Sequence, residues 1–139
     1  LITIMTTEQE VRATIEAFFD TMNNQDLEAM QNLIPKTDKT VHVGTDEGEI
    51  WKGWETLNNA TKKQFKGLEY YKADIRDLMV DVAESGDVAW YFHKLDAEIK
   101  SQGNITHWQG ARFTGVLQKI DGQWVMQQTH VSIPESAQS

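Results

Sequence analysis

The sequence has no cysteine, only two prolines and no long apolar run. Without thiols the chain has no disulfides, no thiolate metal sites and no cysteine nucleophile, and a reducing cytoplasm is the compartment we expect. The apolar start is too short for a signal peptide, and no stretch approaches the roughly 20 apolar residues that cross a bilayer. We therefore expect no membrane partner.

Basic residues are also scarce. Lysine and arginine number 13 against 21 aspartates and glutamates, which gives a formal net charge of −8. A surface of this sign repels polyanions, and the sequence contains no basic run that would form a local positive patch. Nucleic acid is therefore not an expected partner.

The composition that remains is typical of one globular domain, with 40% hydrophobic and 24% charged residues. A chain of 139 residues has room for a single core. We expect residues 8–134 to form this domain and residues 135–139 to be a tail. Residues 1–7 are expected to be disordered or tag-derived, with Met5 as the candidate initiator.

Helical periodicity occupies the first part of the chain. Residues Thr7 to Glu10 have the spacing of a capping box, Asp26 is placed to cap a second helix, and Pro35 ends it. The pattern predicts three helices and two short strands: helices near residues 8–22, 27–34 and 57–66, and strands near 39–45 and 49–51.

From Tyr70 onward the hydrophobic period changes to two. This period predicts four long strands in successive hairpins, near residues 70–83, 87–100, 105–120 and 123–133. Helices followed by a long sheet indicate an α+β fold in which a strongly curved, mainly antiparallel sheet wraps around the helices. Such a sheet leaves a cavity at its concave face.

The last two strands carry an unusual mixture of side chains. Simple alternation puts Trp108, Arg112 and Thr114 on one face of the first strand. On the second strand it groups five residues: Trp124, Met126, Gln128, His130 and Ser132. A face that mixes aromatic rings with a guanidinium, an amide, an imidazole and a hydroxyl is more typical of a pocket wall than of a core.

The element order and a set of short motifs resemble the SnoaL-like branch of the nuclear transport factor 2 (NTF2)-like superfamily over about residues 8–134. The motifs are Trp51-x-Gly53-x-Glu55, Gly86-Asp87-Val88-Ala89-Trp90, Arg112-x-Thr114-x-Val116-Leu117, Gly122-x-Trp124 and His130-x-Ser132-x-Pro134. The resemblance implies a conical α+β barrel, cystatin-like in fold, that pairs through its sheet as a homodimer. It also implies a pocket between the helices and the concave sheet. The superfamily includes ketosteroid isomerase, scytalone dehydratase and the association domain of calcium/calmodulin-dependent kinase.

Arg112 is a candidate ligand anchor. A guanidinium on an inward face needs a charged partner. That partner is either a ligand carboxylate, held in a bidentate contact, or an acidic side chain such as Asp46 or Glu49 in a structural ion pair.

Two histidines are candidate proton-transfer groups. His130 shares a strand face with Gln128 and Ser132, and an imidazole has a reference pKa of about 6.5, near neutral pH. By resemblance, His42 lies on the early strand that carries the general base of ketosteroid isomerase. Related domains often end in His-x-His-x-Ser, and Gln128 here replaces the first histidine, so that position cannot titrate near neutral pH. A structural role remains the alternative for both histidines.

Aromatic residues are expected to line the pocket, with Trp51, Tyr71, Trp90 and Trp108 as candidate ligand contacts beside Gln128 and Ser132. No local metal-ligand spacing occurs, so neither a metal nor another cofactor is expected.

Two functions fit these observations. One is an enzyme that isomerises, dehydrates or cyclises a small, partly apolar, carboxylate-bearing molecule by proton transfer without a cofactor. The other is a non-catalytic ligand-binding or oligomerisation domain that resembles the kinase association domain.

Overall fold

A computed structural model describes residues 4–137. Residues 1–3 of the expected N-terminal segment and residues 138–139 of the expected tail lie outside the described residues. Within this range the fold is α+β, as the sequence predicts, with three α-helices, six strands and a final 3-10 turn. In chain order the elements are α1 (Thr7–Asn23), α2 (Leu27–Asn32), β1 (Val41–Val43), β2 (Ile50–Lys52), α3 (Trp54–Gly67), β3 (Leu68–Val82), β4 (Val88–Ser101), β5 (Asn104–Ile120), β6 (Gln123–Ser132) and a 3-10 helix (Glu135–Ala137).

The strands form one sheet in the order β2-β1-β6-β5-β4-β3. Strands β3 to β6 are joined by antiparallel hairpins, whereas β1 pairs in parallel with β6 and antiparallel with β2. Strand β1 therefore brings His42 beside Thr129 of β6. No helix within residues 4–137 is long and apolar enough to cross a membrane.

Local chemistry sets the ends of these elements. Asp121 and Gly122 both have positive φ, 51° and 79°, as a two-residue hairpin turn requires. The side chain of Asp26 accepts from the Ala29 amide at the start of α2, as predicted. The capping box at α1 lies one residue earlier than predicted, because Thr6 is the N-cap and exchanges hydrogen bonds with Gln9.

The core lies between the helices and the concave face of the sheet, where α1 buries Val11, Ile15, Phe18 and Phe19. His93 of β4 is completely buried there and stacks against Phe113 with ring centroids 5.1 Å apart. The edge of the Phe19 ring packs against His93 at 4.6 Å. These rings connect the first helix to the middle of the sheet.

Two β-bulges interrupt the alternation of β5 and β6. At the first, Leu95 pairs with Ala111 and Ala97 pairs with Trp108, so that Gly110, with φ of 67°, supplies an extra residue. At the second, Gln127 is the extra residue between two successive pairs of β6 with β5. Each bulge moves the following side chains to the opposite face of the sheet.

Strand β3 lies at one edge of the sheet, and helix α1 and the turn after it cover that edge with hydrogen bonds. The Asn23 amide donates to the Ala73 carbonyl at 3.0 Å and accepts from the Ala73 amide at 2.9 Å. Arg12 donates to the Leu78 carbonyl at 3.2 Å, and Gln25 donates to the Glu69 carbonyl at 2.8 Å. These side chains occupy backbone groups that a neighbouring strand would otherwise bond.

Candidate functional site

A cavity of about 420 Å³ lies between the helices and the concave sheet. All three helices and all six strands contribute to its wall. Its apolar lining includes Phe18, Phe19, Met22, Met30, Ile34, Trp51, Leu57, Ala60, Leu68, Tyr71, Ile99, Trp108, Phe113 and Val131. Its polar lining includes His42, Asp46, Glu49, Thr61, Gln64, Ser101, Thr106 and Thr129. A cavity of this size and lining is typical of a small-molecule site.

His42 is the central titratable group of the cavity wall. It is 5% exposed, and its Nδ1 lies 2.6 Å from the Oγ1 of Thr129, the neighbouring residue of β6. Burial lowers the pKa of His42 from 6.5 to about 4, and the Met126 carbonyl opposes this shift only in part. The imidazole is therefore neutral at physiological pH.

The second nitrogen of this ring, Nε2, has no hydrogen-bond partner within the described residues and no solvent contact. The Phe18 ring packs nearby, with its centroid 6.2 Å from that of His42. A buried polar atom without a partner costs about 1–3 kcal/mol. A ligand that bonds to Nε2 would recover this free energy, and it would require a small displacement of the neighbouring side chains.

Three of the predicted aromatic residues, Trp51, Tyr71 and Trp108, line the cavity. Burial raises the pKa of Tyr71 above its usual range, so its hydroxyl stays protonated and can donate a hydrogen bond. Trp51 lies opposite His42 in the pairing of β1 with β2. The binding role of these residues stays a prediction.

The turn between β1 and β2 contributes the only charged side chains of the described cavity lining, Asp46 and Glu49. The Asp46 amide donates to Glu49 Oε1 at 2.9 Å, and the Glu49 amide donates to the Asp46 carbonyl at 3.0 Å. Asp46 is exposed and Glu49 is half-buried, so this turn lies where the cavity opens to solvent.

The prediction that Arg112, Gln128, His130 and Ser132 form the pocket wall is wrong. All four side chains lie on the convex face of the sheet, where Arg112 donates to the Ser132 hydroxyl at 3.0 Å. The Gly110 bulge separates Arg112 from the face of Trp108, and the Gln127 bulge separates Gln128 and His130 from the face of Met126. Arg112 is therefore neither a carboxylate anchor in the cavity nor a partner of Asp46 or Glu49.

Trp90 also lies on the convex face, with 47% of its surface exposed, and so contradicts the prediction that it lines the pocket. Its strand has apolar residues on both faces, since Trp90 and Phe92 alternate with Ala89 and Tyr91, and the sequence alone does not distinguish the two. Thr129 is the functional candidate that the sequence reading missed. Only the bulge at Gln127 and the parallel pairing with β1 place it beside His42.

A second depression of about 420 Å³ lies between α1 and β3, and many of its lining residues are charged. Its two guanidinium groups already have partners. Arg12 bonds to the Leu78 carbonyl, and Arg76 forms an ion pair with Asp96 at 2.7 Å. We therefore assign the ligand site to the cavity that holds His42. Within residues 4–137, no three histidine, aspartate or glutamate side chains are grouped so as to hold a metal ion.

A model of the SnoaL-like domain family matches residues 11–136 of the sequence. No curated protein matches the sequence. A crystal structure from Streptomyces avermitilis, named as a candidate dehydratase of the NTF2-like family, is 18% identical, with 91% of this chain and 95% of that chain covered and a TM-score of 0.79. An NTF2-like superfamily protein from Salmonella enterica serovar Typhimurium is 16% identical, with 92% and 91% covered and a TM-score of 0.79.

The fold is also similar to a protein from Xanthomonas campestris named as a candidate association domain of calcium/calmodulin-dependent protein kinase II. The identity is 20%, the coverage is 91% of this chain and 87% of that chain, and the TM-score is 0.74. At these identities the likeness shows a common fold, and it carries no ligand or activity over to this chain.

Proposed function

Because the chain belongs to the SnoaL-like domain family and has the NTF2-like fold, we propose that it binds a small, largely apolar molecule in the cavity between its helices and its concave sheet. The observation that carries this proposal is the cavity of about 420 Å³, whose wall is mainly aromatic and aliphatic and includes the buried pair His42 and Thr129. Apolar walls supply affinity, and a few fixed polar groups orient the ligand.

His42 is the group that we propose to exchange a proton with a bound molecule. Proteins with a similar fold are named as candidate dehydratases, including a scytalone dehydratase from Novosphingobium aromaticivorans, and dehydration needs proton transfer but no cofactor. A neutral imidazole with a pKa of about 4 is a weak base. Its protonated form is a stronger acid than an ordinary imidazolium, and it returns the proton more readily to a departing hydroxyl. Proton transfer by His42 would follow binding in the same cavity.

Filling the cavity should weaken binding. Ala60 lies on α3 and lines the cavity, whereas its neighbour Asn59 is exposed. We expect Ala60→Phe to weaken the binding of N-phenylnaphthylamine, a neutral apolar fluorescent probe, by about tenfold or more, because its ring occupies the ligand volume. Fluorescence titration measures the affinity, and Asn59→Phe is the control. Equal affinity in both variants, or no binding by the wild type, would contradict the binding proposal.

The convex face of the sheet supports a second role, the assembly of two copies. Two cross-strand rows run over it. The first comprises Ile50, Val43, His130, Thr114, Phe92 and Met79, and the second comprises Lys52, Val41, Gln128, Val116, Trp90 and Asp81. Tryptophan, methionine and arginine are the residues enriched at protein interfaces, and Arg112 lies beside these rows. We propose that a second copy of the chain covers this face.

The distribution of charge over the surface favours a second copy of the chain as the partner of this face. Copies with a net charge of −8 repel each other over most of their surface. Apart from His130, the two rows carry ionisable groups only at the ends of the second row, where Lys52 and Asp81 lie. An antiparallel arrangement of two copies can bring these opposite charges together.

A charge in place of Trp90 on the convex face should separate the copies. We expect the wild type to sediment as a dimer and Trp90→Lys to sediment as a monomer, because the lysine would have to be desolvated when the second copy covers this face. Analytical ultracentrifugation at several concentrations measures the change. Met5→Lys, at an exposed position before α1, is the control. A monomeric wild type would overturn the assembly proposal, as would a dimeric Trp90→Lys.

A further inference from the structure

The charges of the cavity wall have one sign. Among the described lining residues there are two carboxylates, Asp46 and Glu49, and there is no lysine or arginine. Neither carboxylate forms an ion pair within residues 4–137. A negative, partly enclosed opening lowers the local concentration of anions and raises that of cations.

The turn also fixes the Glu49 carboxylate in position. Its Oε1 accepts from the Asp46 amide at 2.9 Å, and the Gly44 amide donates to the Glu49 carbonyl at 2.8 Å. The Glu49 side chain lies so close over Gly44 that a Cβ at that position would be 2.6 Å from Oε1. Glycine at position 44 therefore leaves room for the Glu49 carboxylate in this position beside the cavity.

The interior adds a second and independent indication of a ligand. His42 is 5% exposed, lines the cavity and has a buried Nε2 without a partner. The aromatic rings of Trp51 and Trp108, also in the lining, offer π faces that attract organic cations. A hydrogen bond to Nε2 thus becomes available inside once the neighbouring side chains shift, and negative charge is available at the opening.

From this arrangement we infer that the cavity binds an apolar molecule with a positively charged amine, whose hydrocarbon body fills the interior and whose ammonium group lies between Asp46 and Glu49. The inference rests on the proposed binding function and names its ligand class. It replaces the carboxylate-bearing ligand that the sequence suggested, since Arg112 lies on the convex face.

Three compounds with one hydrocarbon body test the ligand class: naphthylethylamine, naphthylethanol and naphthylpropanoate. We expect isothermal titration calorimetry to show the amine binding about tenfold more tightly than the carboxylate, with the alcohol between them, because charge at a partly buried site is screened less than in water. Higher salt should narrow the difference between the amine and the alcohol.

Two matched variants test whether Glu49 is the source of the preference for the amine. Glu49→Gln keeps an acceptor for the Asp46 amide and should remove most of the preference for the amine while leaving alcohol binding unchanged. Glu47→Gln makes the same charge change at an exposed residue of the same turn that does not line the cavity, and it should have little effect.

The outcomes separate the two proposals. If the alcohol binds but the amine has no advantage, the inferred ligand class is wrong and the binding function stands. The class is also wrong if Glu47→Gln reduces the preference as much as Glu49→Gln, because net charge would then explain it. If none of the three compounds binds the wild type, the binding function itself fails.

Discussion

Alanine at position 115 is expected to lower the free energy of unfolding by about 3 kcal/mol, although it adds a single methyl group. Gly115 lies in the middle of β5, opposite Tyr91 and Thr129. A Cβ there would overlap the Gln128 carbonyl oxygen and would lie 2.7 Å from the Tyr91 hydroxyl. The first of these neighbours is backbone, so the methyl group can be accommodated only if the two strands move apart.

Urea denaturation of Gly115→Ala and the wild type measures this difference. Gly48→Ala is the matched control, since no atom lies within 4 Å of a Cβ at that turn position. The expected displacement would also disturb the stacking of Tyr91 on His93, whose ring centroids are 5.6 Å apart. Equal stability of Gly115→Ala and Gly48→Ala would mean that β5 and β6 do not approach as closely as described.

Acid should destabilise the fold as the pH falls from 6.5 towards 4, because two buried histidines are held neutral in the folded chain. Burial lowers the pKa of both His42 and His93 from 6.5 to about 4. Between these values the unfolded chain takes up protons that the folded chain excludes, so stability falls as the pH decreases from 6.5 towards 4. At pH 5 we expect each histidine to reduce the free energy of unfolding by about 2 kcal/mol, and both together by about 4 kcal/mol.

Urea titrations at pH 7 and pH 5 test this expectation for the wild type, His42→Asn and His93→Phe. Each substitution removes one titrating group, so each variant should lose about half of the pH dependence whatever its stability at pH 7. His93→Phe keeps an aromatic ring between Tyr91 and Phe113 but loses the hydrogen bond between Nδ1 and the Lys94 carbonyl, which is 3.0 Å long. A pH dependence as steep as that of the wild type in both variants would be inconsistent with buried neutral imidazoles.

The elements of the fold could be predicted because their signals are local. The apolar periods of 3.6 and 2, the Asp26 cap and the Asp121-Gly122 turn depend on neighbouring residues, and each lies within a few residues of its predicted position. The resemblance to SnoaL-like domains is confirmed by the family match over residues 11–136.

The faces of the last two strands could not be predicted by counting residues in twos. One extra residue reverses the orientation of every later side chain, and both strands contain one. Gly110 was a usable signal, since an isolated glycine inside a strand often marks a bulge. Gln127 offered none, because its bulge depends on the pairing between β5 and β6. The pairing of His42 with Thr129 depends on a parallel contact between strands 87 residues apart in the sequence.

The hydrogen bonds from α1 and the turn after it to the edge of β3 limit how the protein can polymerise. A bare edge strand is a template on which identical molecules add strand after strand into fibrils. Asn23 occupies both backbone groups of Ala73, and Arg12 and Gln25 occupy two more carbonyls along the same edge. The opposite edge, β2, is only three residues long. Growth by strand addition is therefore hindered at one end of the sheet by groups that are already bonded, and at the other end by the shortness of the edge strand.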